Sequence, residues 1–329
     1  MTKILILTHG EVQELLPVRE CIPIMADALA DLAKGNVFQP LRMVITPPGA
    51  EGDMALMPSY RSGERAAYGV KTVCFFSGNP AKGLDSHQGS VMLFSAETGE
   101  LVALMNASAI TAIRTAAVSG VATQLLARED ASELAIIGSG VQARAHIEAM
   151  ACVRTIKRAR VASFSLENSR KFADELGPRY SFPIEHVGSV EAAVRGADVI
   201  VTATTAVEPI LKREWISPGA HLNVVGSSIP TTREVDSATM AAASLFVDRR
   251  ESTISEGGDY LFALREGAIG SDHIRAEIGE LMIGKHAGRT SPDEITLFKS
   301  LGLAIEDLAS ADYLYRKAQE HQAGTWVEF

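Results

Sequence analysis

The chain has 329 residues, of which 47% are hydrophobic and 22% charged, and this composition favours a globular protein of one or two domains with a substantial core. Its formal net charge of −9 argues against a nucleic-acid-binding protein, and we identify neither a signal peptide nor an apolar stretch long enough to span a bilayer. The three scattered cysteines (Cys21, Cys74 and Cys152) indicate reduced thiols, so we expect a cytoplasmic protein without a membrane or nucleic-acid partner.

The N-terminal part of the chain predicts a mixed or antiparallel sheet with helices. Thr8 and Glu11 form a capping-box pattern ahead of a short helix, and a second helix begins at Pro17 and ends at Gly35. The turn 96–100 predicts a hairpin, and the nearly uncharged segment 109–127 predicts a long helix. The strands predicted before that helix are Ile4–Leu7, Phe38–Thr46, Met54–Pro58, Ala67–Phe76, Ser90–Phe94 and Leu101–Met105.

Three isolated cations stand out in this acidic chain. Arg42, Lys71 and Arg114 each lie in a segment that carries no other charged side chain. Segments with so little charge are expected to be buried, and a buried cation needs a partner. No acidic residue lies at i±3 or i±4 of Arg114, so its partner is distant in sequence or is a ligand. Two arginines and a lysine that converge would suit a carboxylate substrate, while a structural ion pair or a snorkelling side chain would explain each one singly.

The middle of the chain has the pattern of a strand, a glycine-rich turn and a helix. The apolar run Leu134–Ile137 leads into a turn with Gly138 and Gly140, after which Val141 and Gln142 open a helix-forming run. This is the pattern of a dinucleotide-binding βαβ unit, in which the first glycine permits the tight turn and the second lets the backbone approach a pyrophosphate. The diphosphate would lie on the N–H groups and positive dipole of the helix N-terminus. An ordinary strand-to-helix turn is the alternative.

From Glu133 onward the chain alternates between strands and helices, which fits a doubly wound parallel sheet. Beyond Asp248 the pattern is helical, with helices predicted at Asp259–Glu266, Ile274–Leu281 and Glu306–His321. The last helix has no place in a finished six-stranded sheet, so we expect it to return to the first domain. The six predicted strands are Leu134–Ile137, Arg160–Phe164, Ile184–Val187, Asp198–Ala203, His221–Val225 and Leu245–Val247.

The end of the second strand of this sheet bears on the choice of coenzyme, because an acidic residue there ordinarily binds the ribose diol of NAD. Ser163, Phe164 and Ser165 occupy this place, and the first acid is Glu167. Two hydroxyls could donate to a 2′-phosphate, although the arginine usual for NADP is missing. We therefore expect NADP(H) or NAD(H), with a preference for NADP(H) and use of both left open.

Several short motifs become specific when they occur together in one chain. They are LR at Arg42, MPSY at Met57–Tyr60, GVK at Gly69–Lys71, SHQG at Ser86–Gly89, TAIRTAA at Thr111–Ala117, IIGSGVQA at Ile136–Ala143, VGSSIPTTREVD at Val225–Asp236 and FKSLGLAIEDL at Phe298–Leu308. With these motifs the chain resembles the ornithine cyclodeaminase/mu-crystallin family over nearly its whole length. The resemblance implies an α/β protein with a discontinuous α+β substrate-binding and dimerisation domain (residues 1–118 and 296–329), a Rossmann dinucleotide-binding domain (residues 119–295), and a homodimer.

The resemblance, together with the glycine turn and the second strand end, assigns residues to the site. Arg42, Lys71 and Arg114 are expected to be catalytic and to face the substrate, and His87 is given no proton-transfer role. The residues expected to bind substrate are Arg42, Met57, Lys71, Arg114, Ser228 and Leu301. The residues expected to bind the coenzyme are Ser86, His87, Arg114, Thr115, Gly138, Gly140, Val141, Gln142, Ser163, Phe164, Ser165, Thr202, Ala203, Thr204, Val225, Gly226, Ser228 and Ser300. No metal ligand is predicted.

One position departs from the cyclodeaminases of this family, which carry an Asp in a GxD motif after the fifth Rossmann strand. Here Ser228 stands at the Asp position, as it does in ketimine reductases of the mu-crystallin type. A hydroxyl cannot serve as a carboxylate base near pH 7. This departure weakens cyclodeamination and favours imine reduction.

The resemblance and this departure imply NAD(P)H-dependent reduction of the C=N bond of a small α-imino acid. Δ1-Pyrroline-2-carboxylate or Δ1-piperideine-2-carboxylate would give L-proline or L-pipecolate. Arg42 and Arg114 would anchor the carboxylate, and Lys71 would polarise or protonate the imine nitrogen, directly or through water. The alternatives are reduction of an acyclic imino acid or an alanine-dehydrogenase-like reaction, ornithine cyclodeamination, and mu-crystallin-like binding of a small ligand without turnover.

Overall fold

The computed structural model describes residues 3–328, apart from the side chain of Pro80. The chain divides into two compact units, one of Met1–Arg114 with Gly302–Phe329 and the other of Thr115–Leu301. In chain order the strands are β1 (Lys3–Leu7), β2 (Val37–Phe38), β3 (Met43–Ile45), β4 (Asp53–Arg61), β5 (Ala67–Phe75), β6 (His87–Ser95), β7 (Leu101–Asn106), β8 (Glu133–Ile137), β9 (Arg158–Ala162), β10 (Ile184–His186), β11 (Val199–Thr202), β12 (His221–Val224), β13 (Ser244–Val247), β14 (Ile274–Glu277), β15 (Thr296–Lys299) and β16 (Thr325–Glu328). The α-helices are α1 (His9–Leu15), α2 (Val18–Ala33), α3 (Ala107–Leu126), α4 (Val141–Val153), α5 (Leu166–Leu176), α6 (Val190–Val194), α7 (Ser237–Ala242), α8 (Arg250–Glu256), α9 (Gly258–Arg265), α10 (Ile278–Met282) and α11 (Ala304–His321).

The first unit is built on an eight-stranded mixed sheet in the order β16-β1-β7-β6-β5-β4-β2, with β3 also paired to β4. Side chains alternate between the two faces of a strand, and in β5 the odd-numbered Lys71 and Val73 are buried while the even-numbered Tyr68 is exposed. Helix α11 packs against β5 and α2. The buried face of the sheet therefore points Lys71 towards the side on which α11 lies.

The second unit is a parallel sheet of eight strands in the order β10-β9-β8-β11-β12-β15-β13-β14. The order reverses beside β8, which pairs with β9 on one side and β11 on the other. In a doubly wound sheet this switch point, outside the carboxyl ends of the strands, is where a dinucleotide binds. The turn after β8 is the glycine motif, so the fold places that motif at the switch point.

The predicted α/β class with a doubly wound parallel sheet is confirmed, as are the Thr8–Glu11 capping box and the hairpin between β6 and β7. The predicted six strands of the parallel sheet were too few, because β14 and β15 also belong to it. The predicted helix at Ile274–Leu281 was wrong over its first half, where Ile274 and Ala276 are buried in β14 against β13. The predicted strand at Phe38–Thr46 is two short strands, each paired with β4.

The boundaries of the two units differ from the predicted domains at both junctions. The first unit ends at Arg114 and not at residue 118. Residues 296–301 were assigned to the first domain. The structure places β15 in the second unit, where it is fully buried and pairs in parallel with both β12 and β13. The return to the first unit comes at Gly302, after this strand. The assignment of substrate binding and dimerisation to the first domain stays a prediction.

The expectation that no apolar stretch could span a bilayer was too strict. Helix α3 has 20 residues, and an 18-residue stretch of it has a mean hydropathy of 1.3, so by length and composition it could span a membrane. However, 78% of that stretch is buried in the fold. A buried core helix passes the same criterion. Helix α3 therefore gives only weak support for a membrane segment.

Candidate functional site

The turn after β8 has the geometry of a backbone anion site. Gly138 adopts φ +119°, and a Cβ at this position would lie 2.4 Å from the carbonyl oxygen of Ala203. Gly138 is therefore required by the fold, because a side chain would both strain the turn and collide with the neighbouring backbone. A Cβ on Gly140, in contrast, would meet no described atom within 4 Å. The fold does not need a glycine at position 140, but the close approach of a ligand would.

Helix α4 presents its N-terminus at this turn. Gly140 is the N-cap residue, and among the described residues no side chain caps the helix. The first turn carries no acidic residue, and Val141 is exposed. Uncapped N–H groups and the positive helix dipole favour a phosphate group. The open space at Gly140 and this uncapped terminus fit the pyrophosphate of a dinucleotide.

The predicted residues at the end of β9 lie beside the same turn. The Ser163 hydroxyl is 2.9 Å from the Ser139 hydroxyl in the glycine turn. Ser165 caps α5 by accepting a hydrogen bond from the Asn168 N–H, and Phe164 is fully exposed. The structure thus brings Ser163 into contact with the glycine turn and gives Ser165 a second role as a helix cap.

A buried carboxylate that the sequence did not predict joins the next two strand ends. Each oxygen of Glu234 accepts two hydrogen bonds, and the four distances are 2.7 or 2.8 Å. The donors are the Thr202 hydroxyl, the Thr204 N–H and hydroxyl, and the Gly226 N–H. Burial is the main cause that raises the pKa of Glu234. Predicted coenzyme residues after β11 and β12 are therefore held together by one side chain.

Two further buried charges hold Glu234 in place. Oδ1 of Asp259 accepts hydrogen bonds from the N–H groups of Glu234 and Val235, and its Oδ2 lies 3.0 Å from Lys299 Nζ. Lys299 Nζ also donates to the Ser227 carbonyl. The isolated-cation pattern could have found Lys299, which is the only charged residue between Glu294 and Glu306. Glu234 and Asp259 have no such signal, because they read as ordinary surface acids.

The remaining predicted residues of the second unit differ in exposure. Thr115 is buried on helix α3. At the strand ends Val225, Ser300 and Leu301 are buried, and Ala203 and Ser228 are partly exposed. Ser300 donates its N–H to the Val224 carbonyl, and Leu301 donates its N–H to the buried Asp248 carboxylate at 2.6 Å. Asp248 was not predicted as a site residue, and its contact fixes the backbone of Leu301.

The first unit brings two of the three isolated cations onto one carboxylate. Lys71 Nζ lies 2.8 Å from Oδ2 of Asp307, and Arg114 Nε lies 3.2 Å from Oδ1 of the same residue. Arg114 Nη1 also lies 2.7 Å from Oε2 of Glu306. The four side chains are 0–4% exposed. The partner of Arg114 is thus distant in sequence, and both acids stand in the first turn of α11, where the helix dipole favours them.

The third cation reaches the same place through Gly302. Arg42 Nη2 donates to the Gly302 carbonyl at 3.2 Å, and a Cβ on Gly302 would lie 2.6 Å from Arg114 Nη1. Gly302 adopts φ +82°, which an L-side chain rarely adopts. The predicted convergence of Arg42, Lys71 and Arg114 is therefore present in the contacts of the first unit.

Lys71 has an altered acidity in this cluster. Burial lowers the pKa of Lys71 to about 8, against the opposing effect of Asp307, and Arg114 and Arg42 lower it further. Guanidinium groups are well suited to bind a carboxylate, and a lysine of this pKa can exchange its proton near neutral pH.

Other predicted residues of the first unit lie on the same sheet. Met57 is buried on β4 directly opposite Lys71 on β5. His87 lies opposite Phe75, with the two rings 5.0 Å apart, and its Nδ1 is 3.1 Å from the Ser86 hydroxyl. Local desolvation, followed by the charges of Lys71 and Arg114, lowers the pKa of His87. The histidine is therefore expected to be neutral at pH 7.

Within residues 3–328, no group of three or more His, Cys, Asp or Glu side chains could hold a metal ion.

The fold and the glycine turn define a dinucleotide-binding α/β protein. A family model confirms and narrows this class, since residues 2–322 match the ornithine cyclodeaminase/mu-crystallin family. The chain belongs to this family.

Relatives match almost the full length of the chain. The ketimine reductase mu-crystallin of Mus musculus is 41% identical over 297 residues, which are 89% of this chain and 90% of the relative. The Δ1-pyrroline-2-carboxylate reductase of Thermococcus litoralis, solved in complex with NADH and L-proline, has a TM-score of 0.96 and 40% identity, covering 98% of this chain and 100% of that chain. An archaeal alanine dehydrogenase dimer with bound NAD has a TM-score of 0.93 and 33% identity over the whole of both chains.

Proposed function

We propose that this protein is an NAD(P)H-dependent oxidoreductase that reduces the C=N bond of a cyclic α-imino acid. The candidate substrates are Δ1-pyrroline-2-carboxylate and Δ1-piperideine-2-carboxylate, which would give L-proline and L-pipecolate. The observation that carries the proposal is the convergence of three cations: Lys71 and Arg114 are buried on Asp307, and Arg42 reaches the same place through the Gly302 carbonyl. The ketimine reductase and the Δ1-pyrroline-2-carboxylate reductase named above support it.

The cluster suits a substrate that carries a carboxylate. Arg42 and Arg114 can orient such a group, because guanidinium N–H groups match both carboxylate oxygens. Lys71 lies on the same carboxylate, Asp307, as Arg114, so a carboxylate held by the arginines would lie close to the lysine.

Lys71 is the proton donor in this proposal. Its Nζ is held between Asp307 and the Thr111 hydroxyl, which is 3.5 Å away. A nicotinamide coenzyme, when bound, supplies the hydride to the imine carbon. An imine nitrogen that carries a proton accepts hydride more readily than a neutral one, so a donor with a pKa of about 8 serves the reaction at neutral pH. Lys71 would regain its proton from solvent.

The alternative functions are less well supported than reduction of a cyclic imine. Ser228 is half-buried and offers no carboxylate at the position where cyclodeaminases carry an Asp. Reduction of an acyclic imino acid would use the same cluster and is favoured by the likeness to the archaeal alanine dehydrogenase. Ligand binding without turnover remains distinguishable only by assay, since burial alone accounts for the lowered pKa of Lys71.

Turnover tests the proposal directly. Purified protein is mixed with NADPH or NADH and each cyclic imine, and loss of nicotinamide absorbance is followed. We expect turnover with at least one cyclic imine, and a loss of about 100- to 1000-fold in kcat/KM for Lys71→Met, which removes the proton donor. Ammonia release from ornithine without reduction of any imine would contradict the proposal.

The pH dependence of turnover has a definite sign. Lys71 is protonated below its pKa of about 8 and loses its proton above it, so kcat/KM for reduction should fall as pH rises through 8. In Lys71→Arg the guanidinium stays charged, so the remaining activity should not show this alkaline decline. A wild-type profile that rises through pH 8 would contradict the role of Lys71.

We propose further that both coenzymes are used, with NADPH preferred. The Ser163 and Ser165 hydroxyls at the end of β9 can donate to a 2′-phosphate, and no carboxylate stands there to repel it. Against this, the relatives solved with coenzyme carry NADH or NAD. Nicotinamide dinucleotide dependence is common to both possibilities.

The preference can be tested without disturbing α5. Ser165→Asp keeps an N-cap acceptor and adds a negative charge, so we expect the KM for NADPH to rise about tenfold relative to the KM for NADH. Ser165→Asn keeps the cap without the charge and separates loss of the hydroxyl from repulsion. Equal changes in both Michaelis constants for Ser165→Asp would contradict a 2′-phosphate site at Ser165.

We also propose a homodimer that forms through the exposed face of the first sheet. Aromatic side chains lie opposite one another across four strands, in the order Phe38, Tyr60, Tyr68 and Phe94. Phe38 is 75% exposed and Tyr68 is 50% exposed, and Met43, which pairs with Leu56 on β4, is exposed on the same face. An apolar sheet face of this kind is typical of a subunit interface. The archaeal alanine dehydrogenase is also a dimer.

Sedimentation velocity tests the dimer. Tyr68→Glu places a charge in the middle of the aromatic row and should weaken self-association at least about 30-fold. Ile254→Glu changes an equally exposed apolar residue in α8 of the second unit and should leave the dimer intact. If Tyr68→Glu stays a dimer at the concentration at which Ile254→Glu does, the proposed face is wrong.

A further inference from the structure

We propose that the buried Glu234 carboxylate, locked by Asp259 and Lys299, is a positioning residue that shapes the nicotinamide-side half of the coenzyme site. It would act by fixing the backbone after β11 and after β12 in one arrangement. The inference rests on the proposed function only for the class of coenzyme, a nicotinamide dinucleotide. None of the three residues is itself expected to touch the coenzyme.

The hydrogen bonds of Glu234 tie two separate loops to one point. Its Oε1 accepts from the N–H and the hydroxyl of Thr204, and its Oε2 accepts from the Thr202 hydroxyl and the Gly226 N–H. A carboxylate offers about four lone-pair sites, so both oxygens are saturated. The two loops therefore cannot move apart without leaving a buried acceptor unpaired, which is costly.

The position of Glu234 is set in turn by the ion pair beneath it. Asp259 fixes the Glu234 backbone N–H at 2.7 Å and pairs with Lys299, which donates to the Ser227 carbonyl in the second loop. All three charged side chains are 0–1% exposed. A network this well satisfied is rigid, because each loss of a partner strands a buried charge.

The location of the network connects it to the coenzyme. The glycine turn follows β8 at the switch point, and β11 and β12 are the next two strands on the side away from β9. A dinucleotide whose pyrophosphate lies on α4 and whose ribose lies at the end of β9 extends its other half over the ends of β11 and β12. The loops that Glu234 ties together are at those ends.

The test compares the carboxylates that accept hydrogen bonds at opposite ends of β11, the buried Glu234 and the partly buried Asp198. Glu234→Gln keeps the size of the side chain but replaces one accepting oxygen with an NH₂ group, so one pair of donors loses its acceptor. We expect the Kd for NADH, measured by fluorescence titration without substrate, to rise about tenfold, with the KM for the imino acid within about twofold of wild type.

Asp198→Asn is the matched control. Asp198 precedes β11 and accepts hydrogen bonds from the Ser132 and Glu133 N–H groups and from Arg128. These contacts lie at the amino ends of the strands, whereas the glycine turn follows the carboxyl end of β8. We expect it to lower the urea midpoint of unfolding as Glu234→Gln does, with the Kd for NADH changed by less than about twofold. Equal effects of both variants on the Kd would overturn the inference.

Thr202→Val provides a second variant in case Glu234→Gln does not fold. It removes one hydroxyl donor to Glu234 with little change in volume, and we expect about a threefold rise in the Kd for NADH. An unchanged Kd would overturn the inference.

The failure of this inference can be distinguished from the failure of the proposed function, because NADH binding is measured without an imine. A wild-type protein that binds NADH and reduces no imine would contradict the proposed function alone.

Discussion

The contacts of Asp307 are the interaction on which the chemistry of the first unit depends. One of its oxygens lies 2.8 Å from Lys71 Nζ and the other lies 3.2 Å from Arg114 Nε. None of the three side chains is more than 4% exposed. Two cations buried side by side without this acid would be strongly unfavourable, since an uncompensated buried charge costs about 3–5 kcal/mol. The first turn of α11 adds the favourable field of the helix N-terminus to Asp307 and Glu306. Helix α11 thus supplies the acids that allow Lys71 of β5 and Arg114 of α3 to be buried together.

Both units contain a network of buried charges. In the first unit Asp307 pairs with Lys71 and Arg114, and Arg114 also pairs with Glu306. In the second unit Asp259 pairs with Lys299, and N–H and hydroxyl donors of the surrounding loops fill the acceptor sites of Glu234. Such a network can order a backbone or bind a ligand, depending on which donors and acceptors complete it.

The sequence predicted most of what depends on local pattern. The glycine turn, the capping box and the three isolated cations were identifiable because steric need or the absence of other charge marks them within a few residues. The partners of those cations were not predictable, because Glu306 lies 192 residues from Arg114 and looks like a surface acid of an amphipathic helix. Strand β14 was missed because the sequence Ile-Arg-Ala-Glu suits a helix and becomes a strand only against β13. Glu234 was missed for the same reason as Glu306, since only the fold reveals its burial.

We propose that the Arg42, Lys71 and Arg114 cluster holds the carboxylate of the substrate. The most direct measurement is a pair of inhibition constants for two planar ligands of nearly equal shape, pyridine-2-carboxylate and pyridine-2-carboxamide. The carboxylate should bind at least about tenfold more tightly, because it can pair with the guanidinium groups and the neutral amide cannot. Equal binding, or tighter binding of the carboxamide, would contradict a carboxylate site at this cluster.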